Sequence, residues 1–137
     1  MDMAYWLLKT EPSEYSYADL EREKQTVWSG VNNNLALQHL RRMRIGDLAI
    51  IYHTGNEKAA VGVAELGSEP YPDRKLKDPK RVVVDVKSRH RLNRVVPLSE
   101  IKCHPKLKAF ELVRNSRLSV MPVSEEIWKI LMEMSKG

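Results

Sequence analysis

Three segments of this chain are apolar at nearly every position: Tyr5-Trp6-Leu7-Leu8, Leu48-Ala49-Ile50-Ile51-Tyr52-His53 and Ala60-Val61-Gly62-Val63-Ala64-Glu65-Leu66. Each is short for a buried helix, and turn-forming residues bound them. Lys9-Thr10-Glu11-Pro12 ends the first, and Thr54-Gly55-Asn56-Glu57 joins the other two as a hairpin-type loop. Successive side chains of a strand point to opposite faces, so strands apolar at nearly every position are covered on both sides. Gly62 inside the third marks a place where another group comes close to the backbone.

The elements between these strands are short. Ser16 caps a helix from Tyr17 to about Glu23, with Asp19 near its positive end. Thr26-Val27-Trp28 is too short to assign, and Ser29-Gly30 breaks it. The run Asn32-Asn33-Asn34 caps a helix over Leu35–Met43, with Ala36, Leu40 and Met43 at helical spacing and Arg41, Arg42 and Arg44 near its negative end. Pro70-Tyr71-Pro72-Asp73 and Lys77-Asp78-Pro79 bracket a loop. Val82–Val86 opens a long basic strand to about Leu92, which Pro97 interrupts; Ser99 caps one helical turn that Pro105 ends. Arg117–Val120 reads as the last strand. Ser124 caps a closing helix with Glu125 and Glu126 at its start and Ile127, Leu131 and Met134 on its core face. Strands and helices do not alternate regularly, which disfavours a doubly wound parallel sheet and predicts a small α+β domain with a curved or barrel-like sheet. Without repeat or linker, residues 1–137 read as one domain.

Composition narrows the function classes. The single cysteine, Cys103, excludes a disulfide framework, and no apolar run approaches the ~18 residues of a membrane span. A soluble, cytoplasmic protein of a reducing compartment is expected. The charge is uneven: residues 1–73 hold seven basic and eleven acidic groups, residues 74–108 twelve basic and three acidic. Two readings fit this middle segment, a patch for a polyanion such as nucleic acid and a solvated lysine-rich face. No G-x-G-x-x-G, Walker or G-x-S-x-G sequence occurs, and Cys103-His104 has no second ligand pair, so neither a cofactor nor a metal is expected.

Some residues stand out for chemistry. Seven of the nine aromatics lie in the first 71 positions. Trp6 and Trp128 sit on apolar elements and read as core. Trp28 lies just before Ser29-Gly30, where its ring fits either the core or the wall of a pocket. Tyr52-His53-Thr54 ends a strand on polar groups; His53 reads as a satisfied histidine at a strand end or as a donor into a cleft. Lys9 and Glu11 form a charged pair at the end of the first strand.

Taken together, these segments resemble the EVE domain family of the PUA-like superfamily, which includes the ASCH and YTH domains. The matching stretches are Trp6–Pro12, Trp28-Ser29-Gly30-Val31-Asn32-Asn33, Leu40-Arg41 with Gly46-Asp47, Tyr52-His53-Thr54, Tyr71-Pro72-Asp73, Val84-Asp85-Val86 and Arg117–Pro122. The resemblance implies a PUA-like, twisted, barrel-like sheet flanked by short helices, and a pocket for a modified base flipped out of DNA or RNA. A base taken from its stack needs an aromatic face and hydrogen bonds to its edge. By resemblance, Trp28 is the pocket tryptophan, Tyr52 and His53 its tyrosine–histidine strand end, Lys9 and Glu11 its lysine–glutamate turn, and Ser119 the serine of its last strand; Gly30, Val31 and Asn33 belong to the same pocket segment. Charge alone assigns the phosphates to Lys87, Arg89 and Arg91.

The chain departs from the family pattern beside that pocket. Ser29, Asn32, Asn34, Leu35 and Leu37 stand where an acid, arginine, tyrosine, glutamine and arginine are usual. Thr10 replaces a serine, Met121 a glutamine, and the loop between Tyr71 and Val82 is short. The leading expectation is a non-catalytic reader of a modified base, in DNA or RNA. Alternatives are an RNA-binding module without modification preference and an ASCH-like amidohydrolase acting on acylated nucleosides through Lys9, Thr10 and Glu11. The last needs three consecutive residues to converge, which alternation along a strand opposes.

Overall fold

Two of the apolar segments pair side by side and in parallel. β1 (Tyr5–Thr10) runs along β3 (Leu48–His53), from Tyr5 opposite Leu48 to Thr10 opposite His53. Parallel neighbours need a long crossover, supplied here by α1 (Tyr17–Glu23), β2 (Gln25–Trp28) and α2 (Asn34–Arg42). The chain continues through β4 (Ala59–Leu66), β5 (Tyr71–Pro72), β6 (Val82–Pro97), α3 (Leu98–Cys103), α4 (Glu111–Arg114), β7 (Val120–Val123) and α5 (Glu125–Met134). The structure, a computed structural model, describes residues 3–136, so the single-domain reading over 1–137 reaches three residues beyond the described ones.

The strands form one mixed sheet in the order β2-β6-β4-β3-β1-β7, with β5 also paired to β6. α2 packs against both β6 and β7, strands four places apart in that order, so the sheet curls around this helix. The fold class is α+β, as expected. Ser16 and Asp19 form a reciprocal capping box at α1, Asn33 caps α2 through Ala36 N–H, and Ser124 caps α5 through Ile127 N–H. Each side-chain oxygen takes up an N–H that a helix start leaves without a partner.

The sequence expectations differ from the structure in several places: α4 is not among the expected elements, and the two-residue β5 falls where a loop is expected. Residues 25–28 form a strand because β6 pairs with them, Trp28 opposite Val84. β6 continues past Leu92 to Pro97, with irregular register against β4 absorbing the extra residues. Pro97, not Ser99, precedes α3, and no side chain caps that helix. The last strand is Val120–Val123, three residues later than expected, because Leu8 and Leu7 pair with Val120 and Met121.

Gly62 lies under the ring of Tyr17: a Cβ there would be 2.6–2.8 Å from three ring carbons. Trp6 and Trp128 are core residues, as expected. The Trp6 indole N–H donates to Asp47 Oδ2 (2.9 Å), and Asp47 also accepts from the N–H groups of Ala4 and Arg44. The Trp128 ring stacks on Tyr5 with centroids 4.4 Å apart.

His39 on α2 is 9% exposed, and its Nδ1 has no hydrogen-bond partner. Burial, with Arg42 adding repulsion, holds its pKa below the ordinary 6.5.

Gly62→Ala should therefore lower folding stability by about 1–3 kcal/mol, the range for overpacking a filled core, measured by chemical denaturation. His39 gives a second expectation. Its folded pKa is depressed, so below about 6.5 the unfolded chain binds its proton more readily. Stability should be full above that pH and decline as pH falls through the folded pKa. Denaturation across this window should show the slope, and His39→Leu should flatten it.

Candidate functional site

Register and alternation divide the candidate residues between two faces. Lys9 pairs with Tyr52, and its N–H donates to Ser119 O (3.0 Å), so Lys9, Tyr52 and Ser119 lie side by side on one face. Thr10 pairs with His53, and these point to the opposite face. Trp28 shares that second face, because its partner Val84 and the pairs Val86–Thr26 and Val86–Leu66 continue the same row. Lys9, Tyr52 and Ser119 thus lie on one face and His53 and Trp28 on the other, because consecutive strand residues alternate.

On the first face, the Lys9 ammonium donates to Ser116 O (2.9 Å) and lies 5.9 Å from the centroid of the Tyr52 ring. Burial pushes the Lys9 pKa down and the Tyr52 pKa up. Tyr52 is 3% exposed, so its ring serves as support for the ammonium.

On the second face, both ring nitrogens of His53 are occupied by this chain. Nε2 accepts the Tyr17 N–H (3.0 Å), which assigns the proton to Nδ1, and Nδ1 in turn donates to Glu57 Oε1 (2.7 Å). The satisfied reading of His53 is the one the geometry matches. Glu11 Oε2 accepts from the backbone N–H (2.7 Å) and the hydroxyl (3.0 Å) of Ser13, and Thr10 Oγ1 donates to Tyr15 O (2.6 Å). Lys9, Thr10 and Glu11 are each bound to a different partner and do not converge.

Trp28 meets both descriptions given to it. It belongs to the core at 7% exposure, and it also lines a cleft of about 260 Å³ with Thr10, Tyr15, Thr26, Val27 and Ser29. Tyr15 stands edge-on to the indole, centroids 6.3 Å apart and planes at 87°, a favoured aromatic geometry. Tyr15 and Thr26 are lining residues that sequence reasoning missed; the one available signal was an aromatic just ahead of the Ser16 cap. Gly30, at φ +82°, turns the chain beyond the cleft, and Asn33 engages its side-chain oxygen in capping α2. Among the departures, Leu37 is buried, whereas Asn32, Asn34 and Leu35 are exposed.

Cations of the basic strand have neighbours of opposite charge. Arg89 pairs with Glu65 (2.8 Å), and Arg91 pairs with Glu21 (2.7 Å) while lying over the Tyr17 ring. Two of the three cations assigned to phosphates are therefore matched by carboxylates of the same chain. Among the described residues, no three His, Cys, Asp or Glu side chains gather as a metal site, and no helix is long and apolar enough to cross a membrane.

His53→Ala should leave the Tyr17 N–H without an acceptor and lower stability by roughly 1–3 kcal/mol. A histidine that only contacts ligand would leave the denaturation midpoint unchanged, so equilibrium unfolding of this variant separates the two roles.

Comparison with known proteins adds the following. The pattern described as the EVE domain matches residues 4–134. Thymocyte nuclear protein 1 of Mus musculus is 31% identical over 96% of this chain and 74% of its own length. A Rhodopseudomonas palustris protein solved by NMR superposes with a TM-score of 0.93 at 40% identity, covering 98% of this chain and 94% of that one. Human THYN1 protein, solved in complex with 5-methylcytosine containing DNA, gives 0.92 at 27% identity, covering 98% of both chains. An ASCH structure from Zymomonas mobilis, at 13% identity and a TM-score of 0.59, shares the fold. With its sequence matched nearly from end to end, this chain belongs to the EVE domain family.

Proposed function

We propose that this protein binds nucleic acid and holds a modified, flipped-out base in the Trp28 cleft without transforming it. One observation carries the reading: a cleft walled by Trp28 and Tyr15 occurs in a fold matched along its whole length by a human protein solved with 5-methylcytosine DNA. An unstacked base loses its neighbours' faces, and an aromatic wall returns part of that energy. Thr26 and Ser29 line the cleft and bring hydroxyl groups that suit a base edge. Lys9, Tyr52, His53, Glu11 and Ser119 act one step away in this reading, by fixing the ends of β1 and β3 on which the cleft is built. Val31 and Asn33 hold the turn into α2.

Binding without catalysis is the better reading, because a general base must reach its proton at hydrogen-bond distance. Lys9, Thr10 and Glu11 instead serve separate backbone groups.

Trp28→Phe tests the proposal while keeping a ring against Tyr15. The variant should remain folded, and its affinity for an oligonucleotide carrying one 5-methylcytosine should fall, by less than the ~1–3 kcal/mol that alanine substitution removes at a base–aromatic stack, because a smaller ring remains. Weak binding to the unmodified oligonucleotide should persist. A preference that survives intact in the folded variant removes Trp28 from the recognition surface.

A further inference from the structure

Among the described residues, the middle segment's cations without an ion-pair partner gather mainly on the loop joining β5 to β6, beside the Trp28 cleft, with Lys87, Lys102, Lys106 and Lys108 the others. Residues 73–81 hold five cations and two carboxylates. Asp73 and Asp78 accept the backbone N–H groups of Lys75 (3.0 Å) and Lys80 (2.9 Å), so their side chains shape the loop. Among the described residues, Arg74, Lys75, Lys77 and Lys80 have no carboxylate within ion-pair distance, whereas Arg89, Arg91 and Arg94 each have one. Two bonds tie the loop to the cleft's surroundings. Arg81 Nε donates to Val31 O (3.1 Å), just past the Ser29-Gly30 turn, and the Arg41 guanidinium donates to Lys80 O.

A groove of about 450 Å³ runs between this loop and the outer face of β2. Val27, Tyr71 and Val83 supply apolar surface, and Arg74 and Lys75 stand at its margin beside Asp73, whose carboxylate accepts the Lys75 N–H. Val27 is 50% exposed, unusual for a valine on a strand. The Tyr71 hydroxyl donates to Asp85 Oδ1 (2.6 Å), fixing the ring, and the Arg74 guanidinium lies 5.9 Å from its centroid. The groove shares Thr26, Val27 and Ser29 with the cleft, so the two hollows adjoin across the end of β2.

We infer that this groove holds the nucleotides next to the base in the Trp28 cleft, with Arg74, Lys75 and Lys77 on their phosphates and Val27, Tyr71 and Val83 against a neighbouring sugar or base. The inference rests on the nucleic-acid reading above. An apolar shelf bordered by unpaired cations and continuous with an aromatic cleft matches a phosphodiester chain, which alternates flat apolar bases with single negative charges.

The test compares two triple variants, Arg74→Ala/Lys75→Ala/Lys77→Ala and Lys87→Ala/Arg89→Ala/Arg91→Ala. Both are titrated by fluorescence anisotropy across a salt series, with single-stranded DNA and RNA oligonucleotides carrying one central 5-methylcytosine or cytosine. Thermal melts accompany each variant. The loop variant should lose about one unit of salt slope per phosphate contact removed. It should weaken modified and unmodified binding by the same factor, leaving the preference intact; the strand variant should keep the wild-type slope. An unchanged slope in the folded loop variant overturns the inference, as does a loss confined to the strand variant. Wild-type protein that binds both oligonucleotides equally would overturn modified-base recognition alone, and the slope would still decide the groove. Wild-type protein that binds neither overturns both.

Discussion

One residue, Tyr17, joins the first helix to three strands at once through its backbone N–H, its hydroxyl and its ring. Its N–H donates to His53 Nε2 on β3, its hydroxyl donates to Val63 O on β4 (2.7 Å), and the Arg91 guanidinium of β6 lies over its ring. The ring lies where a side chain on residue 62 would otherwise be, so the contact needs glycine there. Because Tyr17 opens α1, fixing it also fixes the two residues before it. Ser16 caps the helix, and Tyr15 is held against Trp28, with its carbonyl receiving the Thr10 hydroxyl. The wall of the cleft thus follows from a packing contact in the core, and burial raises the pKa of the Tyr17 phenol, keeping it the neutral donor that Val63 requires.

The same constraint explains why polar residues at the ends of β1 and β3 do not form one constellation. Parallel pairing in strict register puts Lys9 with Tyr52 and Thr10 with His53, and the pleat sends these pairs apart. Each polar group then finds its partner locally: Ser116 O for Lys9, Tyr15 O for Thr10, Tyr17 N–H and Glu57 for His53. Leaving such groups buried without partners would cost more than the net gain of an ordinary hydrogen bond. Their chemistry is therefore directed inward, holding the strand ends still. The hollows that remain open lie along the neighbouring edge, where β2 ends.

What the sequence conveyed, and what it did not, follows from how local each feature is. The β1, β3 and β4 segments and the Ser16, Asn33 and Ser124 caps depend on residues within a few positions, and all six were legible. Gly62 announced a close approach but not its partner, since Tyr17 lies far away in the chain. β2 was invisible because four residues become a strand only when β6 pairs with them, and β7 was misplaced because its register depends on Leu7 and Leu8. The site was read as a set of residue types. The family resemblance supplied that set, but only the register reveals which members share a face. Charge counting found the basic segment and assigned it to Lys87, Arg89 and Arg91, because the glutamates that match two of them, Glu65 and Glu21, come from distant strands and helices.

The fold superposes on human THYN1 protein at a TM-score of 0.92 with 27% identity, so most positions tolerate change within one backbone. The central strands are buried on both faces, so their substitutions must preserve volume and apolarity. The residues after Trp28 are under a different constraint: Ser29 and Gly30 are exposed, and Asn32, Asn34 and Leu35 face solvent along the start of α2. They can change polarity without disturbing a core contact, provided Gly30 keeps its positive φ and Asn33 its cap. Leu37 is the informative exception. It stands where the family pattern has an arginine yet is buried at 2% exposure, so in this chain the position contributes packing and not charge. In this chain the buried sheet thus carries an exposed rim whose polarity is open to change, beside a cleft walled by Trp28, Tyr15 and Thr10.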